Sequence, residues 1–511
     1  MAESTDKFGV GVWDRWEFAR ELGAGRYPES SDAGTGRAAA DVAFFNGDFG
    51  MAADLYKALS EHHPGNRGIL ARMLHCYDAT CDWQAREPIA DALTAALDIE
   101  PDLNGTEPLC YLSIPLSNRK AFEFVKARNA RYGNKSTPQA NASSACKSDT
   151  EKIRIGYLSI DFKAHNCGIP LWPVLAGHNH DRFHIIGYSL AGTDKKADVE
   201  RTVAPICDAY RNLGHLSWRD VRTTIAKDRI DILVDMTRNI RGAPIPLFQT
   251  RLAPVQVSAW GYGGTSGIPL MDVIFSDETL IPQAEEAFCS EKVVRLPAYL
   301  PPILVAETHP PTDEERAEFG LPSGKVILSG FTNPYKLDKE TFTAWLDILA
   351  AAPDSILWMM AGSESLQHAL RAYAATRGIG RDRMVFAGHA DESRHLRRFQ
   401  HVDLVLDNPR MGSGSSVVHG LAAGRPVVTL QGTAPDSRGA ESILSGLKLH
   451  DFAAPDWTAF VRLAAGLTCD PKARTRAHDR IRTAVAKNST AAQASFIRTL
   501  EDRYGFLLKA A

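Results

Sequence analysis

From residue 153 onward the chain keeps returning to one pattern. A short unbroken apolar run is followed by a longer stretch whose apolar residues recur three and four positions apart. The runs stand at Ile153–Ile160, Phe183–Leu190, Ile230–Met236, Val255–Trp260 and Val273–Phe275. They return at Lys325–Phe331, Ile356–Met360, Met384–Phe386, Leu404–Leu406 and Val427–Leu430. Runs so short and so apolar read as strands covered on both faces, and helices between them make the sheets parallel. Asp338, for example, is placed to cap a helix that puts Phe342, Trp345 and Leu349 on one face. Ten such strands in about 360 residues suit two doubly wound halves better than one sheet. The Pro-rich stretch Leu300–Pro311 is the natural joint, and a ligand cleft is expected between the halves at the carboxyl ends of the strands.

Before residue 133 the period changes. Ala52, Tyr56 and Leu59 recur at helical spacing behind a Gly47-Asp48-Phe49 turn, and Pro64 closes the element. Asp48-Phe49 returns 34 residues later as Asp82-Trp83, ahead of Ile89, Leu93, Ala96 and Leu97. That period suggests a tetratricopeptide-like head, with an ordinary helical bundle as the alternative. Either would offer a surface to another protein rather than chemistry. Residues 133–152 hold no Val, Ile, Leu, Met or aromatic residue and read as a linker. The expected division is therefore a helical head at 1–132, a linker at 133–152, an N-terminal α/β half at 153–310 and a C-terminal α/β half at 311–511 that ends in a helix.

Composition changes this picture little. Hydrophobic residues make up 44% and charged residues 23%, the mix of a folded globular protein. A net charge of −3 removes any global electrostatic case for nucleic-acid binding. No signal region and no long apolar segment stands out, so neither a membrane nor export is expected, and the protein is expected to be cytoplasmic. The eight cysteines form no C-x-x-C pair, and Cys76 and Cys81 are read as structural thiols.

Four places carry candidate chemistry. After Leu404–Pro409 the chain reads Arg-Met-Gly-Ser-Gly-Ser-Ser and then starts a helix, an arrangement whose N–H groups and hydroxyls can cradle phosphate. Lys336 follows another strand and precedes a helix. A cation there could balance a departing diphosphate, and a surface lysine is the alternative. His165 follows the first strand of the body and could take or hold an acceptor proton, or be structural. His395 and Arg398, three apart behind the expected helix cap Asp391, could hold a nucleobase or form a solvated helix face. There is no phosphate-loop lysine motif and no Asp-x-Asp pair of the kind that holds a divalent cation on a diphosphate.

Taken in order, RIGYLSIDFKAH, ILVDM, RGAP, LFQTRLAPVQVSAWGYGGTSG, FTNPYKLD, HADESRHLRR, LDNPRMGSGSS, GLAAGRPVVT and Ser437-Arg438 make a recognisable series. Over about residues 153–505 the chain resembles the O-GlcNAc transferases and their bacterial relatives, glycosyltransferase family 41. The resemblance implies a GT-B fold, two Rossmann-like domains facing a cleft, here behind the helical head. It implies inverting, metal-independent transfer of GlcNAc or a related sugar from a UDP-sugar to Ser or Thr of an acceptor protein. No cofactor is implied, since the UDP-sugar is itself the donor substrate. A homodimer through the head remains open. By the same resemblance His165 is the acceptor-side histidine and Lys336 the lysine on the leaving diphosphate. Ala390, His395 and Arg398 would hold the uracil, Ser415 and Ser416 would lie at the phosphate, and Asn333 near the donor.

Four positions depart from the family pattern. Gly414 replaces a histidine, His419 replaces the aspartate that grips the ribose, Glu392 replaces a lysine, and Gly263 replaces the proline of Y-P-G-T-S-G. Donor contacts at Gly414 and His419 are therefore expected to differ. Gly414 and His419 prompt one alternative, a flagellin-modifying relative with another nucleotide sugar, beside two others, a cytoplasmic asparagine glucosyltransferase and a binding scaffold that has lost catalysis.

Overall fold

A computed structural model describes residues 32–99, 113–114, 116–132, 152–160, 162, 171–191, 200–240, 243–261, 263–303, 310–412, 414–487 and 490–510. Among the described residues the head holds five helices: α1 (Asp32–Phe45), α2 (Phe49–His62), α3 (Arg67–Thr80), α4 (Trp83–Ile99) and α5 (Asn118–Ala130). Their starts follow from the capping residues. Asp48 Oδ1 accepts the amide of Met51 at 3.2 Å, Asn66 Oδ1 that of Ile69 at 3.2 Å, and Asp82 Oδ1 that of Ala85 at 3.1 Å. Ala52 and Tyr56 are buried against Phe44 and Met73, while Cys76 and Cys81 are packed inside as apolar residues.

The first α/β half holds seven parallel strands in the order β3-β2-β1-β4-β5-β6-β7. They are β1 (Ile153–Ser159), β2 (Phe183–Ser189), β3 (Ala209–Asn212), β4 (Ile232–Asp235), β5 (Val255–Ser258), β6 (Val273–Ser276) and β7 (Lys292–Arg295). The second half holds six parallel strands in the order β10-β9-β8-β11-β12-β13. These are β8 (Val326–Gly330), β9 (Ser355–Met360), β10 (Met384–Ala387), β11 (Leu404–Leu406), β12 (Val427–Leu430) and β13 (Ala453–Ala454). Both orders reverse direction beside the first strand of the sheet, between β1 and β4 and between β8 and β11. Crevices form at the carboxyl ends of such neighbours, because the following connections diverge to opposite faces. At the end of β8, Gly330 lets the helix Lys339–Ala351 (α6) lie close, since a Cβ there would stand 2.4 Å from the Trp345 ring.

Three strands, β3, β7 and β13, carry no long apolar run and were not expected from the sequence. Each lies at the edge of its sheet, and β3 and β7 are half-buried, so they lack the two-sided burial that writes a strand as an apolar run. The C-terminal helix Thr490–Ala510 (α9) leaves the second half and packs Phe496, Ile497, Leu500 and Tyr504 into the core of the first sheet. Among the described residues no helix is long and apolar enough to cross a membrane.

A buried polar cluster latches α9 in place. Tyr157 Oη meets His178 Nε2 at 2.8 Å and Tyr504 Oη at 3.0 Å. His178 Nδ1 lies 3.1 Å from Glu501, whose carboxylate also accepts the amide of Asn179 at 2.7 Å. Burial lowers the His178 pKa despite the pull of Glu501, so the ring is neutral and donates to the carboxylate. Burial opposes ionisation of Glu501, but the bonds from His178 and Asn179 outweigh it and the pKa falls below 4.5. Both shifts act in one direction. Below 6.5 the unfolded histidine takes a proton that the folded one refuses, and below 4.5 the unfolded carboxylate does the same. Melting temperature should therefore fall progressively as pH drops from 7 toward 4. A flat profile over that range, read by circular dichroism, would contradict this arrangement.

Candidate functional site

Two connections meet at the switch point of the second sheet. After β8, Phe331-Thr332-Asn333 leads into a single turn, Pro334–Lys336, and Asp338 caps α6 by accepting the amide of Thr341 at 2.7 Å. Pro334 suits this turn because its ring presets φ where no amide donor is needed. After β11, Asp407 is buried and accepts the Thr429 hydroxyl at 2.7 Å. Asn408 and the turn Pro409–Met411 then lead to the helix Gly414–Ala422 (α8). Two bonds stitch these connections together. Asn408 Nδ2 donates to the Lys336 carbonyl at 2.5 Å, and the Ser416 hydroxyl donates to the Phe331 carbonyl. Lys336, half-buried, thereby sits in a connection tied both to Asn408 and to the first turn of α8.

The third wall comes from β10. Its connection passes Gly388 and the half-buried Ala390 to Asp391, which accepts the Arg394 amide at 2.8 Å and starts the helix Glu392–Arg398 (α7). Arg398 is 5% exposed. Its Nη2 donates to the Gly388 carbonyl at 2.9 Å, Nη1 lies 3.8 Å from Met360 Sδ, and Nε has no hydrogen-bond partner among the described residues. His395 lies in an aromatic wall, with ring centroids 5.8 Å from Phe331, 5.3 Å from Phe399 and 5.7 Å from His419. Burial, with help from the Arg398 charge, pulls its pKa down to about 4, so at neutral pH it is an uncharged ring. His419 is itself buried, against Phe399 as well as His395. It faces an aromatic surface rather than acting as a charged acceptor.

Of the residues singled out from sequence, the structure brings Lys336, His395, Arg398, Gly414, Ser415, Ser416 and His419 to the carboxyl ends of β8, β10 and β11. Asn333 is exposed at the start of the turn that ends in Lys336. Ser416 reaches the site with its hydroxyl proton given to Phe331, which leaves the α8 amides and Ser415 as the nearer donors for an anion. His165 lies outside the described residues, as does Ser413.

The departures from the family pattern have visible consequences. A Cβ on Gly414 would meet nothing within 4 Å, so the position faces open space. Gly414→Ala should keep or raise stability by up to ~1 kcal/mol, because alanine costs less backbone entropy in a helical turn. A lower melting temperature would contradict that geometry. Gly263 is the opposite case. A Cβ there would come within 2.6 Å of the Pro435 carbonyl across the two halves, so neither proline nor alanine fits. Gly263→Ala should cost about 1–3 kcal/mol in a urea unfolding experiment, and an unchanged midpoint would refute the contact.

Sequence reading missed the residues that tie the site together. Arg438, quoted only as part of Ser437-Arg438, is 8% exposed and grips Glu285 of the first half through two bonds of 2.7 and 2.6 Å. Ser442 donates to Asp277 at 2.5 Å along the same seam. Asn408 stood inside LDNPRMG without a role. The head also approaches the site directly: the His75 ring stacks on Tyr335 at 5.1 Å and Trp83 Nε1 donates to the Leu337 carbonyl at 3.2 Å.

Two facing parallel-sheet domains, with a lysine and a Gly/Ser helix start at the switch point of the second, define a GT-B-type arrangement. The chain matches the profile of glycosyl transferase family 41 over residues 135–309 and 306–498, and it belongs to that family. It is 26% identical over 374 residues to the Arabidopsis thaliana protein named probable UDP-N-acetylglucosamine–peptide N-acetylglucosaminyltransferase SEC, covering 70% of this chain and 38% of that one. A Caenorhabditis elegans UDP-N-acetylglucosamine–peptide N-acetylglucosaminyltransferase is 23% identical over 446 residues, covering 65% of this chain and 39% of that one. The chain thus spans about two fifths of the length of these curated relatives. In fold it resembles an O-GlcNAc transferase mutant of Thermobaculum terrenum, with a TM-score of 0.79 and 23% identity over 93% of this chain and 91% of that one.

Proposed function

We propose that this protein transfers a sugar, GlcNAc or a close relative, from a UDP-sugar to a Ser or Thr hydroxyl of an acceptor protein, with inversion and without a metal. One observation supports the reading: the connection that carries Lys336 is bonded to the one that leads into α8, at the Lys336 carbonyl by Asn408 and at the Phe331 carbonyl by Ser416 of the first turn, at the switch point of the second sheet, where a nucleotide diphosphate would lie. In this reading the acceptor oxygen attacks the anomeric carbon from the face opposite UDP. The C–O bond to the acceptor forms as the bond to the diphosphate breaks. Lys336 and the α8 amides balance the charge that grows on the leaving diphosphate. His165 takes or orients the acceptor proton, a role that rests on its place in the motif series. Arg398 offers buried donors, and His395 offers a neutral flat ring, to the uracil.

A second reading keeps the reaction and changes the donor. It is favoured by His419, whose ring packs at 5.7 Å from His395 where the family pattern has an anionic ribose ligand. Melting the protein with UDP-GlcNAc, UDP-glucose, GDP- and CMP-sugars separates the two, because a ligand that binds only the folded state raises its stability. The largest rise is expected with UDP-GlcNAc. A larger rise with another UDP-sugar selects the second reading, and no rise with any nucleotide sugar contradicts both. His419→Asp should increase the UDP-GlcNAc shift if donor binding is merely weakened, and leave it unchanged if the donor differs.

A further inference from the structure

The helical head was expected to present a surface to other proteins, yet its α3–α4 corner is built into the support of Lys336. Three contacts grip that lysine's own segment. His75 of α3 stacks on Tyr335, the residue before it, with an interplanar angle of 29°. Trp83, the first residue of α4, donates its indole N–H to the carbonyl of Leu337, the residue after it. The Lys336 carbonyl accepts Asn408, two residues from Arg410, and Arg410 is bound at both nitrogens by Asp78 of α3 at 3.1 and 3.0 Å. Asp78 is wholly buried and also receives Arg86 at 2.7 Å, which ties the same carboxylate back to α4.

The corner is shaped for this docking. Between the two helices Cys81 adopts φ +54°, a left-handed conformation that costs a residue with a Cβ about 1–2 kcal/mol. Such a conformation persists only where its surroundings over-determine it. Here Cys81 and Trp83 are both buried in the hydrophobic core of the second α/β half, so the turn is fixed by the domain it serves.

We infer that Asp78, His75 and Trp83 are positioning residues that hold the Pro334–Lys336 turn, and with it the Lys336 ammonium, at the diphosphate. This inference rests on the proposed role of Lys336. A loosely held lysine would still carry its charge, but the preorganisation that makes such a charge effective would be lost. The head then acts on the reaction through backbone placement, without touching donor or acceptor.

The test compares UDP with UMP by isothermal titration of the full chain, since only UDP carries the phosphate that Lys336 would meet. Trp83→Phe keeps a ring against Phe342 and Tyr373 but deletes the N–H, and Asp78→Asn keeps the shape but not the charge. Each is expected to weaken UDP binding about five- to tenfold while UMP affinity moves less than about twofold. In a Lys336→Ala background the same changes should leave UDP binding unaltered within about twofold, because residues acting through one group are not additive. If either variant lowers UDP and UMP affinity equally, or lowers melting temperature with the UDP-to-UMP ratio unchanged, the inference is overturned. If Lys336→Ala itself leaves that ratio unchanged, the site reading fails and the inference goes with it, a result distinct from the first.

Discussion

Lys336→Ala should lower kcat by about 10²–10³-fold, or ~3–4 kcal/mol of transition-state stabilisation, with its effect on the chemical step rather than on the fold. The size follows from what the lysine is asked to do. Charge builds on the diphosphate as the glycosidic bond breaks, and the described site sets one ammonium and one helix N-terminus where that charge would appear. The alanine variant should melt within about 2 °C of the parent, because the turn is held by its backbone bonds to Asn408 and Trp83. Initial rates with saturating UDP-sugar, alongside a melting curve, measure both. Turnover near that of the parent would mean that the diphosphate lies elsewhere.

The second large effect concerns stability. Asp78 is buried with no exposed surface, between Arg410 and Arg86, both mostly buried. Burial alone would lower the Arg410 pKa, and the adjacent Asp78 charge and hydrogen bonds more than reverse this. Asp78→Ala removes the carboxylate that both guanidinium groups contact and leaves charge in a low-dielectric junction. The expected cost is about 3–5 kcal/mol, read as a lower urea midpoint. Adding Arg410→Met to Asp78→Ala should recover part of it, because the stranded charge is gone. A loss below about 1 kcal/mol for Asp78→Ala would show that the junction between head and body is not anchored there.

How much of this was legible in the sequence depends on the range of the interaction. Apolar runs marked each of the inner strands β1, β2, β4, β5, β6, β8, β9, β11 and β12, whose residues are mostly covered on both faces. The edge strands β3 and β7 escaped, since half-buried residues leave no unbroken run, and β13 escaped because it is only two residues long. Lys336 and the Gly/Ser start of α8 could be singled out because each lies in the connection after a strand, and strand ends define the crevice. What no pattern along the chain could report were bonds between distant segments. Trp83 reaches Leu337 across 254 positions and Arg410 reaches Asp78 across 332. The seam between the halves was equally hidden: Arg438 was visible as a motif, but its partner Glu285 was not. His395 reads in sequence as a polar residue on a helix face. Only its packing on Phe331, Phe399 and His419 makes it a neutral ring.

The claim at the centre is that the carboxyl ends of β8, β10 and β11 form a uridine diphosphate site. Isothermal titration of the full chain with UDP, UMP and CDP tests it most directly. One UDP should bind per chain, more tightly than UMP because Lys336 and α8 meet the second phosphate, and CDP should bind more weakly because the pocket around Arg398 and His395 reads the base. No measurable binding of UDP, or equal affinity for UDP and CDP, would contradict it.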